Sequence, residues 1–153
     1  MRWIPKVTLA CSGGSARARS TPIELWVVSN SLEKYQAIVA GLAFRSRYFE
    51  WHEGLVDSLL RAADLCIVPN SLDAFSATKS ANRALKSLAA HVPVVATPTT
   101  AYESMADALW TGDPLEGIRA CLEDRALVSR QMQAADRAIE THYSLAALRR
   151  YMR

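Results

Sequence analysis

Cysteine is scarce in this chain. Its 153 residues hold three, Cys11, Cys66 and Cys121, and none of them stand at short spacing. That excludes a disulfide framework and a thiolate zinc motif. All three are read as reduced and structural; Cys11 and Cys66 lie in apolar, strand-like runs, where Cys behaves as a small hydrophobe. The three histidines, His52, His91 and His142, are dispersed and show no metal-ligand spacing, so no metal site is expected. No run approaches the roughly 18 apolar residues of a membrane span. The N-terminus has no long apolar segment of the signal-peptide kind. The expected compartment is therefore the cytoplasm, with no membrane span. Basic residues are not massed either. Net charge is +3, and Arg17 with Arg19 and Arg45 with Arg47 form two small, separate groups, so no nucleic-acid partner is expected. No Gly-x-Ser-x-Gly elbow, Walker lysine motif or dinucleotide fingerprint occurs. No catalytic residue and no cofactor emerge from motifs of that kind.

Half of the sequence is hydrophobic, enough for a core and too much for a disordered chain. Short β-rich runs alternate with helical patterns. Strands are expected at Lys6–Cys11, Ile23–Ser29, Ser46–Trp51, Asp64–Asn70 and Val92–Thr97. Between them fall helical stripes: Leu32, Tyr35, Ile38, Val39 and Leu42; then Leu55, Leu59, Leu60 and Ala63; then a helix from about Ser80 to Ala90. Val128, Met132, Ala135 and Ile139 mark a later helix. Ser144 can cap a final one, with Leu145, Leu148 and Met152 as its apolar stripe. Near-continuous apolar strands separated by helices predict an α/β domain with a mainly parallel sheet of about five strands, covered on both faces. Asp64–Pro69 and Val92–Thr97 are expected at its centre. Residues 1–21 form an atypical start, a strand plus a Gly/Ser/Arg loop, and 22–153 form the domain proper. Only about a dozen residues separate the first two strands, as few as a parallel crossover can use.

In open parallel sheets ligands bind beyond the carboxyl ends of the strands. That edge nominates Ser12, Gly13 and Gly14, Asn30, Trp51 and His52, Pro69 and Asn70, and Thr97 to Thr100. Lys79, Ser80, Asn82 and Arg83 stand where the next helix begins. Two cations at a helix N-terminus oppose the helix dipole, a local conflict that an anion nearby would resolve. Trp51 and His52 could pack or hydrogen-bond a nucleobase, although a strand-end Trp is more often a packing residue.

The stretch "ADLCIVPNS", followed by "KSANRALKSLAAHVPVVATPTTAYESM", resembles the C-terminal, donor-binding domain of group 1 glycosyltransferases, which have the two-Rossmann-domain GT-B fold. An apolar strand ending at Val68-Pro69 precedes a loop. A helix opening with Lys79 to Arg83 follows, then the strand Val92-Pro93-Val94-Val95-Ala96. "RYFEW" with "GLVDSLLRAADL", and Tyr143-Ser144 before the last helix, also fit, so the resemblance covers roughly residues 22–153. It implies a single Rossmann-like three-layer domain, half of a GT-B fold, that binds a nucleotide-sugar. Lys79, Ser80, Asn82 and Arg83 would then meet the diphosphate, with Asn70, Thr97, Tyr102, Gly13 and Gly14 around it. Three positions depart from the family pattern. Thr78 and Lys86 stand where many relatives carry paired glutamates, and His91 replaces a glycine. Transfer would need a partner supplying the acceptor-binding half. The rival expectation is a non-enzymatic homo-oligomeric remnant that has lost donor binding. A homodimer is expected, with Trp3, Ile4, Trp26, Leu145, Leu148 and Met152 at its interface.

Overall fold

The computed structural model describes residues 6–11, 23–70 and 80–144. In chain order the elements are β1 (Lys6–Cys11), β2 (Ile23–Ser29), α1 (Leu32–Ile38), β3 (Arg45–Glu50), α2 (Glu53–Arg61), β4 (Leu65–Val68), α3 (Asn82–Ala89) and β5 (Val94–Ala96). A 3-10 helix (Thr100–Ala108), α4 (Pro114–Glu123), α5 (Arg125–Ala138) and a short π-helical turn (Ile139–Tyr143) complete them. The expected α/β class is what the chain adopts.

The strands lie in the order β3-β2-β1-β4-β5. β2 pairs with β3, and β4 with β5, in parallel. β1 joins these two parallel pairs and runs antiparallel to both of its neighbours, β2 and β4. Four strands therefore share one direction and the middle one is reversed. This corrects the expectation of a mainly parallel sheet: its pairings are half parallel and half antiparallel. The reason is the length of the link from Cys11 to Ile23. An antiparallel neighbour needs only a return loop, whereas a parallel one needs a crossover. A second correction concerns β5. Val94–Ala96 is the last strand in the order, not a central one. Its outer side is closed by Trp110, whose N–H donates to Val94 O at 2.9 Å and whose carbonyl accepts from Ala96 N at 2.8 Å.

Helices cover both faces. On one, Val28, Cys66, Val68, Val94 and Ala96 pack with Val56, Leu59 and Leu60 of α2, Ala84 and Leu88 of α3, Tyr102 and Met105 of the 3-10 helix, and Ala134 and Ala135 of α5. On the other, Leu25, Val27, Leu65 and Val95 pack with Val39, Cys121, Ile118 and Val128. The alternation of Val27 and Val28, or Leu65 and Cys66, between the two clusters is the period of two that a strand imposes. Asp113 and Asp124 cap α4 and α5 by accepting from the N–H groups of Glu116 and Leu127, each at 2.9 Å. Cys66 and Cys121 are buried. No helix among the described residues is long and apolar enough to cross a membrane.

The stripe expected on α1 does not go inside. None of its seven residues is buried; Leu32, Ile38 and Leu42 stay exposed, and only Val39, just past the helix, is buried. α1 is held instead by Tyr35, which shares a hydrogen bond with Ser46 at 2.9 Å and packs on Tyr48 with ring centroids 5.4 Å apart. It therefore rides over the β3 border of the sheet rather than over its middle. The expected final helix, with Leu145, Leu148 and Met152, lies outside the described residues, as do Trp3 and Ile4.

Candidate functional site

β4 and β5 are parallel, so their carboxyl ends finish side by side, and the chain ties them together there. Thr97 N–H donates to Val68 O at 3.2 Å, and Asn70 N–H donates to Thr97 Oγ1 at 3.1 Å. Pro69, which has no N–H, ends the β4 ladder and turns Asn70 toward β5. The Asn70 carboxamide then spans two further nominated residues. Its Nδ2 donates to Tyr102 Oη at 3.1 Å, and its Oδ1 accepts from Arg83 Nη2 at 3.3 Å.

Four residues nominated from distant parts of the sequence, Asn70, Arg83, Thr97 and Tyr102, are thus one hydrogen-bonded group at one strand edge. Tyr102 is buried because the 3-10 helix after β5 folds back over the strand ends. Burial pushes its phenol above the ordinary value, while the Asn70 hydrogen bond and the Arg83 charge pull the other way. Arg83, in the first turn of α3, is half-buried. Among the described residues no carboxylate pairs with it. Ala81 precedes α3 and has no side chain that could cap it, so among the described residues the first N–H groups of α3 have no N-cap side chain. Ser80 and Asn82 are exposed at this helix start. Chemically the edge offers a guanidinium, a carboxamide, a hydroxyl and backbone N–H groups, a set suited to holding oxygen anions.

The other nominated residues fall elsewhere. Lys79, Gly13 and Gly14 lie outside the described residues. Asn30 is exposed after β2. Trp51 follows β3 and is 50% exposed, so it is not a core residue. His52 is exposed at the start of α2 without capping it. Lys86, at one of the two departed glutamate positions, forms an exposed ion pair with Asp57 at 2.9 Å.

His91 has a clear structural role. At φ 55° it is the one non-glycine residue with positive φ among those described. Its N–H donates to Leu88 O at 2.9 Å, and Val92 N–H donates to Ser87 O at 3.0 Å. That is the Schellman ending of α3, whose left-handed position normally holds glycine.

One concavity was not foreseen from the sequence. A cavity of about 250 Å³ lies between the 3-10 helix and the end of α5, bordered by Glu103, Asp107, Arg137, Thr141 and His142. Its wall includes the π-helical turn, for which the sequence carries no signature. No group of His, Cys, Asp and Glu among the described residues is placed to hold a metal ion. No protein-family model matches the chain, and no curated protein matches it.

Proposed function

We propose that this chain is a nucleotide-sugar-binding domain, similar to the donor half of a group 1 glycosyltransferase, and that it does not catalyse transfer by itself. The observation that carries this reading is the joining of Asn70, Arg83, Thr97 and Tyr102 at the carboxyl ends of β4 and β5. Two features support it. The group sits at the carboxyl ends of two parallel strands, the edge at which α/β sheets bind ligands, and the strand order β3-β2-β1-β4-β5 matches a doubly wound sheet in sequence, with β1 reversed. The left-handed backbone of His91 keeps the family's helix-to-strand turn.

In this reading the Arg83 guanidinium takes the diphosphate, and the Asn70 carboxamide turns from Arg83 to the ligand. Tyr102 sets the carboxamide's position from below. A second, acceptor-binding protein or domain closes the cleft, which transfer requires because water must be excluded from the reacting centre. The loss of both glutamates favours the rival reading, a remnant without donor binding, since Lys86 is engaged by Asp57. Calorimetric titration with a panel of nucleotide-sugars separates the two. The donor-domain reading expects heat of binding with at least one of them, and loss of it in Arg83→Ala; the remnant reading expects none.

A further inference from the structure

The two borders of the sheet are finished differently. Beyond β5, Trp110 uses up the open hydrogen-bonding groups. Beyond β3 no described residue pairs at all. β3 carries neither a bulge nor a proline, so its charged residues Arg45, Arg47 and Glu50 are the guards it has. Its register with β2 is unbroken from Arg45 to Glu50. Trp51 N–H donates inward to Ser29 O at 3.0 Å. Backbone groups alternate sides along a strand, so the N–H and C=O groups of Ser46, Tyr48 and Glu50 point outward, without a strand partner among the described residues.

The surroundings of this edge are apolar beyond need. Phe44 is 45% exposed and Trp51 50%, at the two ends of β3, and Leu32, Ile38 and Leu42 are exposed on and after α1. We propose that two copies of this chain join edge to edge through β3, antiparallel, about a two-fold axis at Tyr48, into one continuous sheet. This does not depend on the ligand site.

The register follows from symmetry and charge. A two-fold axis perpendicular to the sheet keeps each face on its own side, so opposed residues must be an even number of positions apart in sequence. Centring the pair on Arg47 would set Arg47 against its own copy; its exposed ion pair with Glu24 at 3.3 Å offsets only part of the repulsion between directly opposed like charges. Centring it on Tyr48 instead sets Arg45 opposite Trp51 of the second copy and Arg47 opposite Phe49. Both are cation–aromatic contacts, and both occur twice by symmetry. It sets Ser46 opposite Glu50, a hydroxyl against a carboxylate. All the outward backbone groups of the strand are then used, in about six hydrogen bonds of the antiparallel kind. Since α1 rides over β3, the same rotation brings the two α1 helices together on one face and covers the apolar residues that the single chain leaves open. The proposed interface uses β3 and the residues around it, not the terminal residues nominated from the sequence, which lie outside the described residues. Trp26, the one nominated interface residue that is described, is half-buried, packs edge-on against Phe49 and donates to Glu24 at 2.7 Å.

The test is sedimentation equilibrium of the full chain together with three variants. The parent is expected to run at twice the chain mass at about 100 μM, where a micromolar dimer is formed. Arg45→Glu and Trp51→Ala change exposed side chains and should each weaken association at least about tenfold, with the circular dichroism spectrum unchanged. Tyr48→Cys in a Cys11→Ser background should form an intermolecular disulfide, because hydrogen-bonded antiparallel partners lie about 5.5 Å apart, within disulfide range. If Tyr48→Cys is unstable through loss of the Tyr48 hydrogen bond to Ser29 O, the other two variants still decide. A monomer at about 100 μM overturns the proposal. So does a dimer that ignores both Arg45→Glu and Trp51→Ala.

Discussion

Asn70 and Tyr102, 32 positions apart in the chain, meet through one hydrogen bond of 3.1 Å from carboxamide to phenol. Tyr102→Phe keeps the ring and removes the acceptor, leaving one half-buried donor without its partner. Stability should fall by about 1 kcal/mol, measured by urea unfolding at neutral pH. The phenol also gives the parent a pH dependence. Burial, its largest influence, raises the folded Tyr102 above the value of 10.0 expected when unfolded. The folded state then holds its proton more tightly, so this contribution is complete below about pH 10 and is lost as pH climbs toward the folded value. Burial shifts Cys121 the same way from 9.0. Stability should decline at alkaline pH in the parent, and less steeply in Tyr102→Phe. Parallel curves for the two would contradict the assignment.

His91 holds a backbone conformation that suits glycine. A left-handed residue with a side chain is destabilised by roughly 1–2 kcal/mol, partly offset because glycine loses more entropy on folding. The ion pair with Asp136, at 3.6 Å and more than half exposed on both sides, contributes little. His91→Gly should therefore stabilise by about 0.5–1 kcal/mol, and His91→Val, β-branched at positive φ, should destabilise by about 1–2 kcal/mol. Thermal unfolding of the two variants should move in opposite directions.

Gly117 is required by Trp110. A Cβ at position 117 would stand 2.4 Å from Trp110 Cδ1 and 2.7 Å from Cγ and Nε1. The indole cannot retreat freely, because its Nε1 donates to Asp113 O at 3.0 Å and its backbone closes the β5 edge. Gly117→Ala should destabilise by about 1–3 kcal/mol despite the better helix propensity of alanine. Gly54, with nothing within 4 Å of a Cβ, is the control: Gly54→Ala in α2 should be neutral or stabilising.

The sequence disclosed what local pattern controls. β2 covers Ile23–Ser29, the residues expected of it, and the helices α2, α3 and α5 fell where their apolar spacing placed them. The convergence of Asn70, Arg83 and Thr97 was legible because they follow strands or open a helix at one edge; Tyr102, inside the 3-10 helix beyond β5, was indicated only by the resemblance. What it did not disclose depends on pairing at a distance. The direction of β1 is set by the short length of chain between Cys11 and Ile23 and by its two partners, neither of which shows in the six residues of the strand. The edge position of β5 depends on Trp110, a residue that no periodicity marked. The stripe of α1 read as buried because period alone cannot tell a core from a border.

The central claim is that the edge formed by Asn70, Arg83, Thr97 and Tyr102 holds the anionic part of a nucleotide-sugar. The most direct measurement is titration calorimetry of the parent and of Arg83→Ala against the same nucleotide-sugar panel at constant low salt. The account expects saturable binding by the parent to at least one member, weakened in Arg83→Ala by about 1–3 kcal/mol, the range of a hydrogen bond to a charged group. Binding of equal strength in both proteins, or no binding by the parent to any member, would contradict it.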